Sequence, residues 1–136
     1  MGTLVCAVED SPEAAEALRV AGHLSHNAGL RLVVVHVAEA SWPRAGSRTD
    51  AQQRGQQLVD RVLAKQPLSR GVDTRVEVGP PAEELARVAA EEAATLILVG
   101  SPSHHCWPHR LRGRVTAELI ATADCPVVVV PAALAH

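Results

Sequence analysis

Four short runs of mainly apolar residues constrain the fold of this chain more than any other feature. They are Thr3–Val8, Leu30–Val37, Leu96–Gly100 and Pro126–Val130. A strand that is covered on both faces does not need to alternate polar with apolar residues, so such runs are typical of parallel sheets with helices on both sides. The runs therefore predict an α/β fold.

Segments with helical spacing separate these runs. The clearest is Ser11–Ala28, in which Ser11 is a good N-cap, Pro12 suits the first helical position and Gly29 provides a C-terminal stop. Three further helices are predicted, at about Asp50–Lys65, from the turn Gly79-Pro80-Pro81 through Glu92, and at about Arg114–Ala123.

A fifth strand is predicted at Val72–Val78, where valines and Thr74 alternate with charged residues, a pattern that indicates a half-exposed edge. Regular alternation of strands and helices implies right-handed crossovers. We therefore expect one domain over residues 1–136, with an open, doubly wound, parallel five-stranded sheet in the order 3-2-1-4-5 and helices on both faces.

Composition argues against several classes of partner. The net charge is −2 with scattered Lys and Arg, so no basic patch for nucleic acid is expected. The apolar runs are too short to span a membrane, and the first residues do not resemble a signal peptide, so a cytoplasmic protein is expected. The three cysteines are odd in number and predict reduced thiols rather than a disulfide framework.

The ligand site of an open α/β sheet lies outside the carboxyl ends of the strands, where the winding reverses. With strands 1 and 4 flanking that point, the predicted site comprises Glu9-Asp10-Ser11 after strand 1 and Gly100–Gly113 after strand 4.

Three stretches of the chain resemble the universal stress protein family. Val5–Glu13 is similar to the opening strand of that family with its Asp-Gly-Ser turn, and Gly79–Leu85 is similar to its Gly-x-Pro-Ala-Glu-Glu-Ile helix entry. Leu96–Ser101, followed by Gly113 and by Asp124–Pro131, resembles its last two strands. The resemblance covers nearly the whole chain and implies a small, single-domain, dimeric binding or regulatory module in the stress response.

ATP-binding members of this family carry glycine, two residues, glycine, nine residues, glycine and then Ser or Thr. Glycines let the backbone approach phosphates closely, and the helix N-terminus adds N–H donors. Here Gly100 and Gly113 keep the spacing, but Ser103 replaces a glycine and Arg114 replaces the hydroxyl residue.

The first turn also departs from the family pattern, because Glu9 replaces an aspartate and Asp10 replaces a glycine. Asp10 would repel a triphosphate, whereas Arg110, Arg112 and Arg114 would attract it. We expect weak or lost ATP binding. One alternative is an ATP-binding family member with slow ATP hydrolysis, and another is an interaction scaffold.

The resemblance implies a site for an adenine nucleotide, with ATP as the candidate cofactor. Its residues would be Ala7, Val8, Glu9, Val37, Gly100, Ser101, Ser103, Gly113, Arg114 and Val115. Simpler interpretations stay open: Gly100 and Gly113 as turn residues, Asp10 as part of a helix cap with Ser11, and the arginines as a solvated face.

Other reactive residue types predict no further chemistry. His104, His105, Cys106 and His109 lack the spacing of a metal site, so no metal is expected. Cys6 and Cys125 are predicted as small core residues. Ser11 or Ser101 with a histidine would lack a third orienting group, so the protein is not expected to be an enzyme.

The last strand predicts a homodimer. In the predicted order it lies at the edge of the sheet, and its four valines, Val127 to Val130, carry no charge to prevent association. Antiparallel pairing with a second copy would satisfy its backbone groups about a two-fold axis, as the resemblance also implies. The alternative is that Ala132–His136 folds back over this edge.

Overall fold

The computed structural model describes residues 2–38, 48–67, 71–101 and 114–132. Strands and helices alternate throughout these residues. The strands are β1 (Thr3–Ala7), β2 (Arg31–Ala38), β3 (Asp73–Val78), β4 (Leu96–Gly100) and β5 (Val127–Val130). The helices are α1 (Pro12–Ala28), α2 (Arg48–Ala64), α3 (Pro81–Glu91) and α4 (Arg114–Thr122).

The five strands form one parallel sheet in the order β3-β2-β1-β4-β5, which confirms the predicted topology. The three central strands are aligned in register, since Cys6 of β1 pairs with Val34 of β2 and with Leu98 of β4. The carboxyl ends of β2, β1 and β4 therefore meet at one edge of the sheet.

Helices cover both faces of the sheet, because side chains alternate between the faces along each strand. Leu4 and Cys6 of β1 pack in one apolar layer with residues of α1 and α2, whereas Val5 packs in a second layer with residues of α3 and α4. Both layers are buried, which explains why the central strands are almost continuously apolar.

Helix α1 begins and ends where its sequence predicts. The Ser11 hydroxyl accepts a hydrogen bond from the Ala14 N–H (3.1 Å), and Pro12 occupies the first turn. Gly29 ends the helix with φ of 68°, a left-handed conformation that glycine adopts without strain. The Ser11 cap fixes the turn between β1 and α1, and Gly29 ends α1 before β2.

The predicted element boundaries differ from the observed ones by a few residues. Strand β1 ends at Ala7, although the Val8 N–H still donates to Val35 O (2.8 Å), and β3 begins at Asp73 rather than Val72. Helix α2 begins two residues before the predicted Asp50. In the described residues, no helix combines the length and apolarity needed to cross a bilayer.

Candidate functional site

The turn after β1 is built around the hydroxyl of Ser11. While this hydroxyl accepts from the Ala14 N–H, it donates to Glu9 Oε1 at 3.2 Å. The Glu9 carboxylate is therefore held beside the N-terminus of α1, where the helix dipole favours negative charge.

Asp10 lies on the surface of the same turn. Its Oδ2 is 3.9 Å from Nη2 of Arg61 in α2, so the charge of Asp10 has a cationic neighbour. Both side chains are well exposed, and exposed pairs of this kind contribute little to stability. The helix cap itself is Ser11, because the Ser11 side chain accepts the bond from the first turn.

The end of β4 lies against the first turn of α1. A Cβ atom placed on Gly100 would be 2.6 Å from the Glu13 carbonyl carbon and 2.7 Å from the Ala14 nitrogen. Any side chain at this position would collide with helix backbone, so glycine is needed for the helix to approach the strand. This close approach is a structural reason for Gly100 that does not depend on a ligand.

Ser101 continues the hydrogen bonding of the sheet past the end of β4. Its N–H donates to Val130 O at 2.8 Å. The Val8 N–H is similarly bonded to Val35 O. Two backbone donors at the carboxyl edge are therefore already satisfied by the neighbouring strands.

The structure brings part of the predicted site together. Ala7, Val8 and Glu9 follow one another at the end of β1, beside Gly100 and Ser101. Ser103 and Gly113 lie outside the described residues, as do the His104–His109 cluster and both tryptophans.

Three further predicted positions lie in β2 and α4. Val37 and Val115 are partly buried against the α3 and α4 layer. Arg114 is exposed at the start of α4 and donates to Glu118 Oε1 at 3.1 Å, along its own helix.

Sequence reasoning missed three residues at this edge. His36 Nδ1 lies 2.8 Å from the Val8 carbonyl oxygen, and since a carbonyl accepts, Nδ1 carries the proton. Arg61 reaches Asp10 across a gap of 51 positions in sequence, for which no local pattern exists. Glu13 is not among the predicted site residues, yet its Oε2 is buried and has no hydrogen-bond partner in the described part of the chain.

The described cysteines are not reactive groups. Cys6 is fully buried in β1, and desolvation raises the pKa of its thiol to about 12, so it stays protonated at neutral pH. Burial, and then the charge of Asp124, raise the pKa of Cys125. The described ranges contain no group of three or more His, Cys, Asp or Glu residues placed to hold a metal ion.

The parallel sheet with helices on both faces, and the polar turn at the junction of β1 and β4, define a doubly wound α/β protein with its winding reversed between these strands. The model of the universal stress protein family matches residues 1–131. The chain belongs to the universal stress protein family, as the sequence resemblance indicated.

Two relatives show how the chain compares with whole family members. It is 30% identical over 138 aligned positions to a universal stress protein of Mycobacterium tuberculosis, covering 93% of this chain but 46% of the relative. The chain thus spans about half the length of that protein. It is 29% identical over 133 positions to a universal stress protein of Thermus aquaticus, covering 94% of this chain and 97% of the relative.

Solved structures share the fold. A universal stress protein in complex with cAMP superposes with a TM-score of 0.72 at 20% identity, over 97% of this chain and 98% of that one. The universal stress protein of Archaeoglobus fulgidus in complex with dAMP has a TM-score of 0.58 at 19% identity, over 96% and 98% of the two chains. At these identities the likeness concerns the fold alone.

Proposed function

We propose that this protein is a dimeric binding and regulatory module of its family in the stress response. Its site at the carboxyl edge takes an adenine nucleotide and binds ATP weakly or not at all. The observation that carries this proposal is that three donors in the described part of the carboxyl ends of the strands already have acceptors within the protein. The N–H groups of Val8 and Ser101 bond to neighbouring strands, and the Ser11 hydroxyl bonds to Glu9.

A triphosphate needs several donors and a positive field. At this edge, the Glu9 carboxylate already occupies the position beside the N-terminus of α1 that an anion would otherwise take. Asp10 adds a second negative charge, with Nη2 of Arg61 at 3.9 Å. A nucleotide with less phosphate charge meets less repulsion here.

The solved relatives support the choice of an adenine nucleotide. Their complexes contain cAMP and dAMP, each with a single phosphate group. A ligand of that size and charge suits a site at which the described donors Val8 N–H, Ser101 N–H and the Ser11 hydroxyl already have acceptors. Ser11, which could serve as a nucleophile, is committed to capping α1. We therefore propose binding rather than catalysis.

The proposed dimer forms through β5. This strand is at the edge of the sheet, and Val128 and Val129 are 40% and 37% exposed. An exposed, uncharged edge strand presents unpaired backbone groups that a second copy of the same strand would satisfy. Pro126 and Pro131 flank the strand and limit the pairing to a short segment.

Titration calorimetry with ATP and Mg²⁺, AMP and cAMP tests the nucleotide proposal. We expect ATP to bind more weakly than about 1 μM, which corresponds to about −8 kcal/mol, and AMP or cAMP to bind more tightly than ATP. ATP binding at or below about 1 μM, tighter than AMP, would contradict the proposal.

Restoring the family pattern provides the complementary test. The triple variant Asp10→Gly, Ser103→Gly and Arg114→Ser should bind ATP more tightly than the natural chain. Adenosine is the matched control ligand, because it has no phosphate and its affinity should not change. A folded triple variant with unaltered ATP affinity would show that these positions do not set the preference.

A further inference from the structure

Glu13 carries a buried carboxylate oxygen that has no hydrogen-bond partner among the described residues. The residue as a whole is partly exposed, but Oε2 is buried and accepts no hydrogen bond from any described residue. A buried acceptor without a donor destabilises the folded state, because the oxygen has lost its water without replacement. Such an atom in a folded protein requires an explanation.

The backbone of Glu13 lies at the candidate site. This backbone packs directly against Gly100 at the end of β4, where a Cβ atom would be 2.6 Å from the Glu13 carbonyl carbon. It also lies two residues after Ser11, whose hydroxyl holds Glu9. Glu13 therefore stands between the two chain segments that meet at the switch point, the turn after β1 and the end of β4.

We propose that Glu13 is a ligand-binding residue whose Oε2 accepts a hydrogen bond from an O–H or N–H group of the nucleoside. An ionised phosphate has no proton to donate and is repelled by a carboxylate, so the contact must be with the uncharged sugar or base. This inference rests on the proposed function, since it assigns an additional residue to the same nucleotide site.

The proposal predicts opposite effects on stability and binding. Glu13→Ala removes the orphaned oxygen and should raise the melting temperature by about 3 °C in the absence of ligand. Glu13→Gln keeps the size of the side chain but removes the charge, and it should weaken AMP binding about tenfold, since hydrogen bonds to charged acceptors are the stronger ones. The same tenfold loss is expected for adenosine, because the contact does not involve the phosphate.

Glu83 provides the matched control. It lies in the first turn of α3 after Pro81, as Glu13 lies in the first turn of α1 after Pro12, but Glu83 is exposed. Glu83→Ala and Glu83→Gln lose the same favourable interaction with a helix dipole, so the difference between the two sites isolates the buried oxygen.

The experiment uses the full chain, with melting curves for stability and calorimetry with AMP and adenosine for affinity. If the natural chain binds AMP and Glu13→Gln binds it equally well, the inference fails while the proposed function survives. If the natural chain binds neither AMP nor adenosine, the proposed nucleotide function fails. The proposed contact between Glu13 and the nucleoside then fails as well. If Glu13→Ala melts at no higher a temperature than Glu83→Ala, the buried oxygen of Glu13 does not destabilise the folded state. The inference is overturned in that case too.

Discussion

The two edge strands of this sheet present opposite surfaces. The edge at β5 is a run of four valines, with Val128 and Val129 exposed. The edge at β3 alternates Val76 and Val78, which are buried, with charged residues that take part in ion pairs. Among the described strands, neither β3 nor β5 has a neighbour on its outer side, but only β3 carries charges that discourage further pairing.

The charges at β3 form a network with α3. Arg75 is at its centre, with contacts to Glu77 (3.2 Å), Glu91 (2.8 Å) and Glu92 (3.1 Å). Arg87 joins Glu77 and Glu91 from the helix, and Arg31 of β2 joins Asp73 and Glu92. One edge strand of the sheet thus carries ion pairs and the other carries exposed valines, and the dimer proposed at β5 depends on this difference.

The largest effect is expected from a charge placed on the β5 edge. In a two-fold pairing, Val129→Lys puts two like charges close together and removes apolar contact area. We expect it to weaken the dimer at least about a hundredfold, or about 3 kcal/mol. Light scattering over a dilution series measures this, and Val128→Lys serves as a second variant.

Thr74→Lys is the control on the opposite edge, since Thr74 is exposed on β3. It should leave the dimer intact. A natural chain that is monomeric at every concentration would refute association at β5. A dimer that Thr74→Lys disrupts, and that the valine variants leave unchanged, would place the interface at β3 instead.

A second prediction concerns Gly100 at the end of β4, where α1 packs closely against the strand. Gly100 pairs with Val130, and its missing side chain lets the backbone of α1 approach directly. Gly100→Ala should lower the free energy of unfolding by about 1 to 3 kcal/mol, because helix backbone cannot move aside as a flexible side chain could. Urea denaturation at a fixed protein concentration measures the loss.

Gly71→Ala is the matched control, because a Cβ atom there would have no neighbour within 4 Å. It should be neutral or slightly stabilising, through the reduced freedom of the unfolded chain. Equal effects of the two alanines would mean that the approach of α1 to β4 is not as tight as the structure has it.

The ion pairs at β3 should make a smaller contribution. The Arg75 side chain is only 23% exposed, and Arg75→Ala leaves three carboxylates without this partner. We expect a loss of about 1 to 2 kcal/mol in the free energy of unfolding, between the values for exposed and for buried pairs. Arg114→Ala removes a single exposed pair with Glu118 and should cost less than about 0.5 kcal/mol. A loss with Arg75→Ala no greater than with Arg114→Ala would show that the network acts as independent surface pairs.

The sequence predicts most of this architecture because local patterns carry it. Apolar runs, the caps at Ser11 and Gly29, and the alternation in β3 each reflect a rule that acts over a few residues. The strand order and the exposed valines of β5 follow from these elements and the rules for crossovers. Element ends were less accurate, since fraying and capping decide them within one or two residues.

The details of the site could not be predicted in the same way. The partner of Asp10 is Arg61 of α2, and the partner of the Val8 carbonyl is His36 of β2. These contacts depend on how helices and strands pack, which no local spacing encodes. Glu13 Oε2 is buried, and the backbone of Glu13 lies close to Gly100; neither fact follows from the glycine alone, which an ordinary turn would also explain.

The smallest predicted effect is a change in the pH dependence of stability at the β3 edge. Hydrogen bonds from Arg75, and then from Arg87, hold the pKa of Glu91 below its ordinary value of 4.5. A hydrogen bond from Arg31 is the main cause that lowers the pKa of Glu92, with burial acting against it and Arg75 adding to it. Both carboxylates therefore bind protons more weakly in the folded chain than in the unfolded chain.

The sign of the effect follows from this difference. A carboxyl whose pKa is lowered by folding contributes stability that is fully present above the unfolded value, and this stability is lost as the pH falls through the folded value. The urea midpoint of the natural chain should therefore fall between about pH 5 and about pH 3. Arg75→Ala should show a shallower fall, because it removes the first cause of the shift at Glu91. Arg114→Ala keeps every partner of Glu91 and Glu92, so its midpoint should fall as steeply as that of the natural chain. If the urea midpoint of Arg75→Ala falls equally steeply, carboxylates other than Glu91 and Glu92 produce the acid sensitivity. The ion pairs at β3 would then not depend on this arginine for their contribution to stability.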